Sequence, residues 1–126
     1  MNNKKILLVE DDDFLRQLVG TKLIDDGFSL SVAVDSIGVF SSLEKEKPDL
    51  ILLDVMLPGL DGFQILEKIK SDKSNEAISV VILSNLGQKE DKDKAFSLGA
   101  KDFWIKAYLD LDEIVEKINK IFEEKK

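Results

Sequence analysis

Apolar residues in this chain gather in five short runs, separated by five longer stretches in which they recur at helical spacing. The runs are residues 5–9, 28–34, 50–54, 78–83 and 101–105. Three of them contain ILLV, LILL and ISVVIL, nearly unbroken apolar segments of the kind expected of strands covered on both faces. In the stretches between, Leu15, Leu18, Val19 and Leu23 share one face of a predicted first helix. Leu111, Ile114, Val115, Ile118, Ile121 and Phe122 form one stripe of a predicted last helix. Asp110 and Glu113 stand where a reciprocal N-terminal cap of that helix would place them. Breakers fall between the elements: Gly27, Pro48, Pro58-Gly59, Asp61-Gly62 and Gly99.

Strict strand–helix alternation over one domain's length predicts an α/β fold, a three-layer sandwich with helices on both faces of a parallel sheet. Five such units suggest the flavodoxin-like (βα)5 arrangement with strand order 2-1-3-4-5. Residues 1–126 are read as one domain, without a repeat or an internal linker. In open α/β sheets ligands bind beyond the carboxyl ends of the strands. Those ends carry Glu10-Asp11-Asp12-Asp13, Asp54, Ser84-Asn85 and Lys106. The topology therefore predicts that carboxylates, a hydroxyl and an ammonium meet at one edge.

Composition narrows the chemistry. The chain has 126 residues, 44% hydrophobic and 34% charged, which suits one globular core. No apolar run approaches the roughly 20 residues that span a bilayer. Residues 6–9, after MNNKK, are too short for the apolar part of a signal peptide, so a cytoplasmic protein without membrane association is expected. Cysteine is absent, which excludes disulfides and thiol catalysis; histidine is absent, which excludes a Ser-His-Asp triad and phosphohistidine chemistry within the chain. A net charge of −7 argues against direct nucleic-acid binding. It suits a divalent cation or a basic partner surface.

Clustered carboxylates repel one another, and a hard divalent cation such as Mg²⁺ relieves that repulsion through oxygen ligands. Asp11 and Asp54 are the expected direct ligands, with Glu10 acting directly or through water. A carboxylate so held can attack phosphorus to give an acyl phosphate. The incoming phosphoryl group is anionic, and Mg²⁺ with Lys106 supplies the positive charge it needs, while Ser84 can donate a hydrogen bond. Taken singly these residues have plainer readings. Asp12 and Asp13 are read as helix caps, Ser84 alone as a turn hydroxyl, Lys106 alone as a surface lysine and Phe103 as core.

The segments VEDDD at 9–13, LLDVMLPGLDG at 52–62, ILSN at 82–85 and LGAKDFWIK at 98–106 together resemble a response-regulator receiver domain of two-component signalling, chemotaxis-regulator-like and single-domain. The resemblance covers the whole chain. It implies Glu10 and Asp11 as the acidic pair of an Mg²⁺ site, Asp54 as phosphoacceptor, and the Met56 backbone carbonyl as a further metal ligand. It implies Ser84 and Phe103 as switch residues and Lys106 as the partner of the phosphoryl group. A histidine kinase or phosphotransfer protein is then the expected donor and a downstream protein the expected target, reached through a remodelled face of helix four, strand five and helix five. The chain is expected to be a monomer or a weak phosphorylation-dependent dimer. It would be a regulatory phosphoacceptor rather than an enzyme, catalysing only its own phosphorylation and slow hydrolysis. Nothing in this reading separates a stand-alone regulator from a piece of a longer one.

One departure from the family pattern stands out: Lys106 is followed by Ala107 where a proline with a cis bond is usual. A cis non-proline bond costs roughly 2.5–4 kcal/mol. Either the bond is trans and the loop re-routed, which puts the placement of Lys106 in question, or the site holds it cis. Met56 and Leu86, each two residues beyond a site residue, are expected to limit water access and prolong the phosphorylated state. The rival reading is a pseudo-receiver that binds partners without being phosphorylated. The intact acidic pair, Asp54 and Lys106 speak against it.

Overall fold

The computed structural model describes residues 4–85 and 87–124. Strands β1 (Lys5–Val9), β2 (Ser29–Ala33), β3 (Leu50–Asp54), β4 (Ser79–Ser84) and β5 (Asp102–Ile105) alternate with helices α1 (Asp13–Asp25), α2 (Ser36–Lys45), α3 (Gly62–Ser71), α4 (Lys89–Ser97) and α5 (Leu111–Glu124). The sheet is parallel, in the order β2-β1-β3-β4-β5, as the alternation predicts.

The period-2 geometry of a strand divides the core in two. Leu7, Val9, Ile51, Leu53, Val80, Ile82 and Phe103 face α2, α3 and α4, where Val39, Leu43, Leu66, Ile69 and Ala95 meet them. Ile6, Leu8, Leu50, Leu52, Val81, Leu83 and Trp104 face α1 and α5, where Leu23, Ile118, Ile121 and Phe122 meet them. The central strand β3 is buried along its whole length, which is why LILL shows no polar alternation. Each fully buried leucine or isoleucine there contributes about 1.5–3 kcal/mol of transfer free energy.

Helix ends follow local chemistry. Asp12 caps α1 by accepting from Leu15 N–H at 3.0 Å. Asp61 and Gln64 form a reciprocal capping box at the start of α3. Asp110 accepts from Glu113 N–H at 2.8 Å, and Glu113 accepts from Asp110 N–H at 3.3 Å, as expected for the last helix. Gly27 and Gly99 end α1 and α4 with φ of 93° and 101°, a region that costs other residues about 1–2 kcal/mol.

Helix α1 departs from the expected packing, whereas α4 keeps to it. Leu18 is 41% exposed, and the sheet-facing side of α1 is carried by Gly20 and Leu23, both buried. A Cβ at Gly20 would stand 3.1 Å from Leu30 Cδ2, so that side chain would have to give way slightly. Helix α4 buries only Ala95 fully, in keeping with its thin apolar content; Lys94 from its charge run lies 4.6 Å from the centre of the Phe63 ring. Few buried contacts give an element low local stability.

Candidate functional site

Each strand tip delivers one part of the site. Glu10 follows β1, and its N–H donates to Ala33 O at 3.0 Å, extending the sheet one residue further. Asp54 ends β3 and is buried, as are Glu10 and Ser84. Its backbone lies so close to the start of α3 that only glycine fits at position 62: a Cβ there would stand 2.4 Å from Asp54 O and 2.8 Å from Val55 Cα. The Gly62 N–H donates to Val55 O at 2.9 Å, fixing the loop that the PG and DG pairs announce.

Carboxylate oxygens of Glu10, Asp11 and Asp54 all lie within 4.8 Å of one another. Lys106, 96 residues along the chain from Glu10, closes the group with its ammonium 2.7 Å from Glu10 Oε1 and 3.1 Å from Asp54 Oδ2. No described peptide bond is cis, so the Lys106–Ala107 bond is trans. A single turn of 3-10 helix over Lys106–Tyr108 carries the chain to α5, and Lys106 still reaches the site. Of the two options left open by Ala107, the trans bond is the one found, and with it Lys106 stands against Glu10 and Asp54.

Electrostatics follow from two buried acids sharing one cation. Burial raises the Glu10 carboxyl above its ordinary value; the hydrogen bond from Lys106 opposes this, and the neighbouring Asp54 adds to it. Burial lowers the Lys106 ammonium, but its hydrogen bond to Glu10 and the charges of Asp54 and Glu10 outweigh that, so its pKa is raised overall. The two directions agree physically. Lys106 faces two anions and keeps its proton, while Glu10 shares its cation with a second anion and is the group a further cation would relieve.

The other expected residues take separate places. Ser84 ends β4 next to Ile105 in register, one position beyond the pairing of Asp54 with Leu83. Phe103 is 7% exposed and packs on the α2–α4 side of the sheet, whereas Trp104 packs beneath α5, opposite faces as alternation requires. Met56 follows in the loop; its N–H donates to Asp54 Oδ1 at 3.4 Å, and its side chain points to solvent, 71% exposed. Leu86 lies outside the described residues. Asp12 and Asp13 serve the helix, Asp12 as cap and Asp13 as the ion-pair partner of Arg16.

Sequence reasoning missed Arg16. Its guanidinium donates to Glu10 O at 3.0 Å while pairing with Asp13. The available signal was an arginine on the same helical side as Gly20 and Leu23, four and seven residues on, where an apolar residue would be expected.

Residues 6–119 match the family described as Response regulator receiver domain. The chain belongs to that family, whose members are phosphorylation-dependent signalling switches. It is 33% identical over 120 residues to Sporulation initiation phosphotransferase F of Bacillus subtilis (strain 168), covering 95% of this chain and 94% of that protein. It is 35% identical over 114 residues to the DNA-binding dual master transcriptional regulator RpaA of Synechocystis, covering 90% of this chain but 47% of that protein. The chain spans about half the length of the first curated relatives it matches. Among solved structures, the receiver domain of the Francisella response regulator 1452 superposes with a TM-score of 0.88 at 28% identity, over 98% of this chain and 100% of that one. A CheY-like receiver domain protein from Methanospirillum hungatei JF-1 shares the fold with a TM-score of 0.89 at 24% identity, over 98% of this chain and 96% of that one. Receiver domains are regulatory and generally bind Mg²⁺ at an acidic pocket. The all-oxygen donor set of Glu10, Asp11 and Asp54 fits that ion by its chemistry. No described helix is long and apolar enough to cross a membrane.

Proposed function

We propose that Asp54 accepts a phosphoryl group from a phosphohistidine on a partner protein, a histidine kinase or phosphotransfer protein, and that the phosphorylated chain regulates a downstream protein. The observation that carries this reading is the placement of Lys106 against both Asp54 and Glu10, with Asp11 completing a compact acidic set.

Glu10, Asp11, Asp54 and the Met56 carbonyl would hold Mg²⁺, which when bound supplies positive charge against the clustered carboxylates and the incoming phosphoryl oxygens. An Asp54 oxygen forms the new bond to phosphorus as the donor's phosphorus–nitrogen bond breaks, giving an acyl phosphate and returning the electron pair to the imidazole. Lys106 follows the charge from the carboxylate to the phosphoryl oxygens, and the Ser84 hydroxyl donates to one of them. Phe103 alternates between its buried position and an outward one, with phosphorylation favouring the buried one. The α4–β5–α5 face changes with it, and the sparse burial of α4 supports low resistance to such a shift. Phosphorylation then needs only to bias two states by its different contacts in each. Water later cleaves the acyl phosphate.

The test is incubation with acetyl phosphate and Mg²⁺, followed by intact mass measurement. One added phosphoryl mass, removed by hydroxylamine and absent from Asp54→Asn or after metal chelation, is expected. A wild-type mass that stays unchanged would instead favour the pseudo-receiver.

A further inference from the structure

Arg16 does something its position on a helix does not require. A surface arginine paired with an aspartate three residues away contributes only about 0.2–0.5 kcal/mol and can stay in water. Here Asp13 does stay in water, 83% exposed, while the Arg16 side chain is 19% exposed. Side chains on a helix lean toward its N-terminus. Arg16 leans past its own first turn and donates from Nη1 to the carbonyl of Glu10, six residues back. Burying a guanidinium is costly without a specific acceptor, and that acceptor is the peptide joining Glu10 to Asp11.

We propose that Arg16 is a positioning residue for the metal-binding turn, pinning the Glu10–Asp11 peptide so that both carboxylates stand toward Asp54. The peptides on either side of Glu10 are both restrained. Its N–H is tied to Ala33 O on β2 at 3.0 Å, and its carbonyl is tied to Arg16 on α1 at 3.0 Å. The side chain is fixed as well: Oε1 accepts from Lys106 and Oε2 from the Asp12 N–H at 3.3 Å. Of these restraints, the Arg16 contact fixes the plane of the peptide that leads to Asp11, whose own side chain is exposed. Without it, that peptide can turn, and Asp11 leaves the compact acidic set at little cost. Outer-shell partners of metal ligands commonly change affinity 10–100-fold when removed.

This inference rests on the proposed Mg²⁺ site, and the experiment separates the two. Mg²⁺ titrations of the full chain by calorimetry and by amide NMR compare wild type, Arg16→Met, Arg16→Lys and Asp13→Asn at fixed ionic strength. Arg16→Met is expected to weaken Mg²⁺ about tenfold. In the metal-free protein it should also move the Asp11 amide resonance, which belongs to the pinned peptide. Arg16→Lys, which keeps one donor, should recover part of the loss. Asp13→Asn, which removes only the exposed ion pair, should stay within about twofold. With acetyl phosphate, Arg16→Met should need more Mg²⁺ for half-maximal phosphorylation yet reach the wild-type rate at saturation. If wild type fails to bind Mg²⁺, the metal site itself is wrong. If wild type binds and Arg16→Met binds equally well, with or without a lower melting temperature, Arg16 is only a helix residue and the inference is overturned.

Discussion

Replacing Gly62 by alanine adds one methyl group directly against the chain that carries the phosphoacceptor. Its Cβ would stand 2.4 Å from Asp54 O, 2.8 Å from Val55 Cα and 3.0 Å from the Asp54 carbonyl carbon. All three neighbours are backbone, so no side chain can swing aside and the strand end or the helix must move. Overpacking of this kind costs about 1–3 kcal/mol. The better helix propensity of alanine, worth about 1 kcal/mol in a helix interior, offsets only part of it at the first helical residue. For a chain of this size about 1 kcal/mol corresponds to roughly 4 °C, so a net loss of about 1–2 kcal/mol after that offset should make Gly62→Ala melt roughly 4–8 °C below wild type by calorimetry. Gly59→Ala is the matched control. Its φ of +76° is left-handed, but nothing lies within 4 Å of the added Cβ. It should lose about 1 kcal/mol by backbone strain alone. The amide resonances of Asp54, Val55 and Met56 should shift in Gly62→Ala and stay put in Gly59→Ala, and phosphorylation by acetyl phosphate should slow only in the former. Equal melting of wild type and Gly62→Ala, or unchanged resonances at 54–56, would refute the close approach on which the placement of Asp54 depends.

Lys106→Met leaves two buried carboxylates without their shared cation. Breaking a buried ion pair from one side costs about 3 kcal/mol, so a fall of roughly 12 °C is expected without Mg²⁺, with Mg²⁺ restoring more of it than it adds to wild type. A drop insensitive to Mg²⁺ would contradict the shared-charge reading. Lys22 bridges α1 to α5, 2.8 Å from Asp112, and pairs with Asp26 at 3.3 Å. Hydrogen bonds to Asp112 and then Asp26 raise its pKa above 10.5. A raised lysine pKa stabilises fully below the unfolded value and loses that contribution as pH climbs through the folded one. The melting gap between wild type and Lys22→Met should therefore hold from neutral pH to about pH 10 and shrink above it. A gap that widened with pH would contradict the assignment.

The sheet was legible because β1, β3 and β4 are buried on both faces and so carry apolar runs that no helix of the same length would need, whereas the edge strand β2 is largely exposed. The site edge was legible because strand tips in such sheets converge whatever their sequence separation. The reciprocal cap at Asp110 and Glu113 was equally plain, since all its parts lie within four residues. What the sequence hid depends on contacts between distant segments. Leu18 has the right spacing for core but stays 41% exposed, in the groove between α1 and α5, while Gly20 and Leu23 take the buried side. Lys106 was expected to await a phosphoryl group; its tighter contact is with Glu10, a pairing across 96 residues that no local pattern announces. Gly62 reads as an ordinary turn glycine until the Asp54 carbonyl is found beneath it. Met56 and Phe103 drew their roles from family resemblance alone, and their own residue types carry no comparable signal.

The central claim is that residue 54 carries the phosphoryl group. Its most direct test is reduction of the acetyl-phosphate-treated protein with borohydride, which converts an aspartyl phosphate to homoserine, followed by peptide sequencing by mass spectrometry. Homoserine at position 54, dependent on Mg²⁺ and at no other acidic residue, is the predicted result. Homoserine at position 11 instead, 2-amino-5-hydroxypentanoic acid at position 10, or an untouched Asp54 in protein shown to be phosphorylated, would contradict the account.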